Sequence, residues 1–219
     1  MSAITPARAK PEVEYPETDG KPIADNTKQY EYIVTIKGGL DAVFRDDPNV
    51  FVAADLFWYP VEGDNKTRTA PDTLVVFGRP KGHRRSYLQW TEGNVAPQVV
   101  FEILSRSNRG KALAVKFDFY ERHGVEEYYI YDPDKGTLAG WLRKENNLVA
   151  IPTMQGWVSP RLKVRFELHD GELWLFGPDG TRFATFAELV EQAEQGKKAE
   201  VRAAKLAAQL KALGVEPEA

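Results

Sequence analysis

Glu102 is an ionisable residue inside an otherwise apolar run, PQVVFEILS. In an extended strand Val99, Phe101 and Ile103 face one side, and Val100, Glu102 and Leu104 the other. Apolar residues on both faces imply a strand covered on both sides. An ionised carboxylate there is costly unless it is paired or bound to a metal; a position near the strand end, open to solvent or to an arginine, is the alternative. Asp72 follows Pro71 at the start of a second apolar run, TLVVF, on the same face as Leu74 and Val76. Twenty-nine residues lie between it and Glu102, enough for a loop and a return to a neighbouring strand. Two carboxylates so placed repel each other unless a hard divalent cation lies between them. Magnesium suits such a site, because it needs only one or two protein carboxylates besides water and substrate phosphate. Lys116 lies in KALAVKFDFYERHG, beside the inward stripe of Leu113, Phe117 and Tyr120, while Asp118, Glu121 and Arg122 take the outer face. It either snorkels to the surface or reaches the carboxylates. There it would stabilise an attacking hydroxide or the charge of a phosphorane-like transition state.

Several elements must hold these residues. Asp25 or Asn26 can cap a helix running to about Asp46, with a stripe of Ile33, Ile36, Leu40, Val43 and Phe44 interrupted by Gly38 and Gly39. From Val50 the pattern turns β-rich, through VFVAADLFWYPVEG, PDTLVVFG and PQVVFEILS. A second helix fits 110–123, opened by Ser107 or Asn108 and closed by Gly124. EEYYIYD, the turn DPDKG, LAGWLR and NLVAIP follow, then KVRFELHDGELWLFG, a hairpin around Asp170-Gly171. This order predicts an α/β or α+β domain over 26–180 with a mixed central sheet, extra hairpins and flanking helices. Residues 1–25, with Pro6, Pro11, Pro16 and Pro22, read as an extended N-terminal arm, either mobile or wrapped over the domain. Residues 181–219 read as a C-terminal helix, whose Ala199, Ala203, Leu206, Leu210 and Leu213 form a seam at 4-3-4-3 spacing. That helix either packs on its own domain or pairs two copies.

Composition narrows the chemistry. A net charge of -3, from 29 Lys and Arg against 32 Asp and Glu, excludes holding nucleic acid by bulk charge alone. The absence of cysteine excludes disulfides, thiolate zinc sites and a cysteine nucleophile. His83, His123 and His169 are scattered without an i,i+4 pair, and the phosphate-cradling, dinucleotide and Gly-x-Ser-x-Gly motifs are missing. No stretch approaches the roughly 18 apolar residues of a membrane span, and the first residues lack a signal-peptide core, so a cytoplasmic protein is expected. Local basic clusters remain. Arg79, Lys81, His83, Arg84 and Arg85 follow the Asp72 strand, Arg106, Arg109 and Lys111 follow the Glu102 strand, and Asn65, Lys66 and Arg68 precede Asp72. They could neutralise backbone phosphates or simply be solvated loops. The five tryptophans are expected to pack the core or its edges.

Pro71-Asp72 followed by Phe101-Glu102-Ile103-Leu104-Ser105 resembles the PD-(D/E)XK nuclease superfamily. The wider run FEILSRSNRG…KFDFYERHGVEEYYIYDP is similar to the cyanobacterial-type "putative restriction endonuclease" family, over roughly residues 50–145. The resemblance implies a restriction-endonuclease-like core, a mixed sheet flanked by helices. It implies Asp72 and Glu102 as ligands of Mg²⁺ or Mn²⁺. The superfamily's lysine two positions after the glutamate is Leu104 here; in the closer family a lysine of the following helix takes over, and Lys116 fits that place. Asp55 or Glu31 would be an additional acidic residue, and Lys66, Arg68, Arg84, Arg85 and Arg109 would contact the DNA backbone. The family's N-terminal Y-E-L-I-D-G stretch has no counterpart. The expected function is a metal-dependent endonuclease hydrolysing DNA phosphodiester bonds, as a homodimer if the tail pairs. The alternative is a catalytically silent member that binds nucleic acid or a protein. Contact between Lys116 and the Asp72–Glu102 pair discriminates the two.

Overall fold

The computed structural model describes residues 13–20, 22–105 and 110–212. Of the two cap candidates Asn26 is the one used: its side chain accepts from the Gln29 backbone N–H at 2.8 Å and opens α1, Thr27–Val43. Ile33, Ile36 and Leu40 are buried along the predicted stripe, which passes through Gly38 and Gly39 without a break. Gly39 is required there, because a Cβ would run into the Phe183 ring. The helix stops three residues before Asp46, and the Lys81 ammonium donates to the terminal carbonyls of Phe44 (2.5 Å) and Arg45 (2.8 Å).

Eleven strands follow among the described residues: β1 (Val50–Ala53), β2 (Trp58–Tyr59), β3 (Thr73–Phe77), β4 (Tyr87–Leu88), β5 (Val99–Ile103), β6 (Glu127–Asp132), β7 (Thr137–Lys144), β8 (Asn147–Ala150), β9 (Trp157–Val158), β10 (Arg165–His169) and β11 (Glu172–Phe176). A six-stranded sheet has the order β1-β3-β5-β6-β7-β8. Its pairings are antiparallel except β5 with β6. A parallel pair needs a crossover, and α2 (Lys111–Arg122) supplies it. Helix α2 begins at Lys111 with Gly110 at the N-cap, and the predicted caps Ser107 and Asn108 lie outside the described residues. The mixed sheet flanked by helices is the fold class expected from the sequence.

Two apolar layers sandwich this sheet. On one face α1 and the small sheet β9–β11 pack with Val75, Phe101, Tyr129 and Phe166. On the other, α2 and the short parallel pair β2–β4 pack with Trp58, Leu74, Tyr87, Val100, Tyr120 and Tyr128. The β10–β11 hairpin turns at Asp170 and Gly171, both at positive φ (52° and 84°), as an Asp-Gly type I′ turn demands. Helix α3 (Phe186–Ala212) has every residue from 189 to 206 exposed, including Leu189, Val201 and Leu206. It therefore does not pack along its own domain, the first of the two readings its sequence allowed. No described helix is long and apolar enough to cross a membrane.

Candidate active site

The antiparallel register of β3 on β5 pairs Thr73 with Phe101 and Leu74 with Val100. One step further along the same ladder, Asp72 stands opposite Glu102, on the face that carries α2. Both carboxylates are buried, Asp72 at 7% exposure and Glu102 at 0%. The Ile103 backbone N–H donates to Asp72 Oδ2 at 2.6 Å, which ties the acid at the start of β3 to the end of β5. Glu102 is held from α2. Lys116 Nζ donates to both carboxylate oxygens at 2.8 Å and to the Ala70 carbonyl at 3.1 Å. Tyr120, one helical turn on, donates its hydroxyl to Glu102 Oε1 at 2.5 Å.

The local sequence explains this arrangement. Positions 113, 116, 117 and 120 share the inward side of α2, so a lysine and a tyrosine four apart reach the sheet together. The Tyr120 ring is buried, stacked on Trp58 at 6.4 Å and edge-on to Tyr128 at 4.9 Å. From the opposite face of the sheet, Gln29 of α1 donates to the Ile103 carbonyl at 2.9 Å, and the Ser105 hydroxyl bonds the Asp25 carboxylate. The end of β5 is thus pinned on both sides.

The electrostatics follow from burial. Desolvation, with Glu102 beside it, pushes the Asp72 carboxyl up to about 8, against the pull of Lys116 and the Ile103 N–H. Burial alone would lower the Lys116 ammonium, but Glu102, Asp72 and Asp55 outweigh it and hold it above the ordinary lysine value. Burial and the Glu102 charge push the Tyr120 phenol far upward, so it remains a donor. Asp55 joins the group from the turn after β1. Its backbone is at φ 48°, and its N–H donates to the Pro71 carbonyl at 3.1 Å. Its carboxyl is raised by partial burial, then by Asp19, with Glu102 adding and Lys116 opposing. Three carboxylates therefore face one ammonium. Glu31, the other acidic candidate, sits exposed on α1.

Among the described residues no group of three or more His, Asp or Glu side chains is arranged to hold a metal ion. The pair Asp72 and Glu102 nevertheless fits a hard cation of low protein-ligand demand, because Lys116 is already paired with Glu102 and an ionised Asp72 facing it would need a further positive charge.

The predicted phosphate-contacting residues divide. Lys66 is exposed on the loop that leads to Asp72. Arg68, on the same loop, lies over the rings of Phe57 (5.1 Å) and Tyr59 (5.9 Å) and donates to the Asn65 carbonyl at 2.5 Å. Arg85 is 85% exposed and pairs with Glu17 at 2.6 Å. Arg84 is committed inside the chain: 12% exposed, paired with Glu92 at 2.6 Å and lying over Phe51 at 3.9 Å. Arg79 also pairs with Glu92, and Lys81 caps α1. Arg106 and Arg109 lie outside the described residues.

Two contacts of the site go beyond the sequence expectations: the Tyr120 hydroxyl on Glu102, where the inward stripe predicts only packing, and the Gln29 amide on Ile103. Gln29 stands four residues before Ile33, a polar residue on an apolar stripe, and that was the available signal.

Among curated proteins none matches this chain. A crystal structure titled as a putative nuclease belonging to DUF820, from Anabaena variabilis ATCC 29413, is similar over 66% of this chain and 79% of its own, at 17% identity and a TM-score of 0.47. The sequence model of the Uma2 family, described as "Putative restriction endonuclease", matches residues 6–162, more than half the chain, and so the protein whose buried Asp72 and Glu102 meet half-buried Lys116 at the end of β5 belongs to the Uma2 family.

Proposed function

We propose that the chain is a metal-dependent endonuclease that hydrolyses DNA phosphodiester bonds at the Asp72–Glu102–Lys116 cluster. The observation that carries this reading is the double contact of Lys116 Nζ with Glu102, 2.8 Å to each oxygen, since a lysine lost to solvent would have left a binding protein. Asp72 and Glu102 would hold Mg²⁺ or Mn²⁺, and such an ion, when bound, neutralises phosphate charge and lowers the pKa of water. Lys116 serves two ends. It neutralises Glu102 while the site is empty of substrate, and it offers an ammonium to the charge that builds on the phosphate during attack. Tyr120 fixes the Glu102 rotamer through Oε1, so the carboxylate meets its ligand without reorienting. Lys66 and Arg68, on the loop that leads to Asp72, and the exposed Arg85 would neutralise flanking phosphates. Exposed apolar residues along α3 suit pairing of two copies, which would present two sites to a duplex.

The test is cleavage of plasmid and single-stranded DNA with Mg²⁺ or Mn²⁺ by the wild type, Glu102→Ala and Lys116→Ala. Metal-dependent cutting lost in both variants is the expected result. Cutting that survives both places the activity elsewhere, and DNA binding without cutting in the wild type replaces the nuclease by a binding module.

A further inference from the structure

The arm that precedes α1 lies along the site. Residues 13–20 lie against Tyr59 of β2, the 60–70 loop that leads to Asp72, and Trp90 of the 3-10 turn Gln89–Glu92. Tyr15 packs against Tyr59 (ring centroids 5.2 Å apart) and Trp90 (5.0 Å). Its hydroxyl accepts from the Gly63 N–H at 2.6 Å. Tyr59 donates its hydroxyl to the Pro16 carbonyl at 2.5 Å, and the Asn65 amide donates to the Glu14 carbonyl at 2.8 Å. Beyond this anchor the arm is acidic. Glu17 pairs with Arg85, and Asp19 is close enough to Asp55 to raise it.

The anchoring contacts are ones a nucleic-acid strand would make in the same place. Aromatic rings and hydrogen-bond donors line the floor, Arg68 lies over Tyr59, Arg85 meets Glu17, and the 60–70 loop runs from there to Asp72. Aromatic rings flanked by cations are how single strands are held without sequence readout. The arm supplies a counterpart of both, with Tyr15 packed edge-on and tilted against the rings where a base would lie and Glu17 paired with Arg85 where a phosphate would.

We infer that the groove formed by Tyr59, Gly63, Asn65, Arg85 and Trp90 is the path of a nucleic-acid strand into the site, and that residues 13–20 are an internal mimic of that strand which must leave before substrate enters. This inference rests on the nuclease reading and adds the substrate's route and its competitor. A tethered competitor divides the population between covered and open forms, and the apparent affinity falls by the open fraction. The chain has no cysteine, so the arm can be locked cleanly. In Glu14→Cys/Asn65→Cys, oxidation would staple the arm down and reduction release it, in one folded protein.

The measurement is anisotropy of a fluorescent single-stranded oligonucleotide with the full chain, in Mg²⁺-free buffer. The oxidised double variant should bind at least about tenfold more weakly than the same protein after reduction. Tyr15→Ala/Glu17→Ala, which loosens the arm without a disulfide, should bind more tightly than wild type, and adding Arg85→Ala should cancel the gain. Equal binding by oxidised and reduced protein, or no gain on loosening, overturns the inference and leaves the nuclease reading standing if plasmid cleavage persists. Failure of the nuclease reading is distinct: no cleavage by any form, whatever the arm does.

Discussion

Glu102 and Glu127 are both fully buried glutamates on neighbouring strands of one sheet, and they do opposite things. Glu127, at the start of β6, faces the α1 side. Its oxygens accept from the Tyr129 hydroxyl at 2.8 Å, the Ser159 hydroxyl and the Arg161 backbone N–H at 2.7 Å. Burial raises its carboxyl and these donors pull it back, while the nearby Arg161 guanidinium is paired with Glu126 instead. Glu102, near the end of β5, faces the α2 side, with a cation, a phenol and a second carboxylate around it. Every bond of Glu127 ends inside the chain, so it clips the 157–164 loop to the sheet. Glu102 belongs to a group of acids that compete for one ammonium, and that competition raises Asp72. Burial of an acid is therefore no sign of chemistry; burial beside another acid is.

The comparison can be broken most directly by exchanging the two roles in the test tube. Glu102→Gln is expected to abolish metal-dependent plasmid cleavage, by about 10³-fold or more, and also to cost stability, because the Lys116 ammonium loses its carboxylate partner. Glu127→Ala should separate the two effects: about 2–4 kcal/mol lost in urea unfolding, because buried donors are left unpaired, with cleavage retained where the protein stays folded. If Glu127→Ala kills cleavage in a folded protein, the division between clip and site is wrong.

A second expectation concerns pH. The Asp72 carboxyl holds its proton up to about 8 in the folded chain, whereas the unfolded chain releases it near the ordinary value of 3.8. Between those values the folded state binds more protons, so this group's contribution to metal-free stability falls as pH rises through that window. A divalent cation needs the ionised form, so Mn²⁺ should raise the melting temperature more at about pH 8.5 than at about pH 6. An equal rise at both pH values would remove Asp72 from the ligand set. The smallest effect is expected from Tyr120→Phe. It should cost about 1 kcal/mol in stability and lower cleavage by about tenfold, read as kcat with KM unchanged.

Much of this was legible before any coordinates. The apolar runs named β3 and β5, and an acid in each, on matching faces, put Asp72 and Glu102 together. Lys116 was legible because helical spacing set it beside the inward stripe. What could not be read is instructive. The Glu127 clip depends on Ser159 and Arg161, 32 and 34 residues away, and no periodicity encodes that reach. The prolines Pro6, Pro11, Pro16 and Pro22 leave two readings of the arm, mobile or wrapped over the domain, and no periodicity chooses between them; the contacts of residues 13–20 with distant loops do. Arg84 read as a free cation, since sequence cannot show that Glu92 and Phe51 converge on it.

The parallel pairing of β5 with β6 also bears on how the site comes into being. Glu102, Lys116 and Tyr120 all belong to one strand–helix–strand unit, with at most 18 residues between partners. Closing so short a loop costs little entropy, so these three groups can meet early in folding. Asp72 arrives only when β3 docks on β5, and it then brings a second acid, one that keeps its proton up to about 8, to a place already furnished with one cation. The centre is thus built as a settled ion pair and completed by an acid that pair cannot neutralise, so the last step of assembly supplies the second ligand of the proposed metal site.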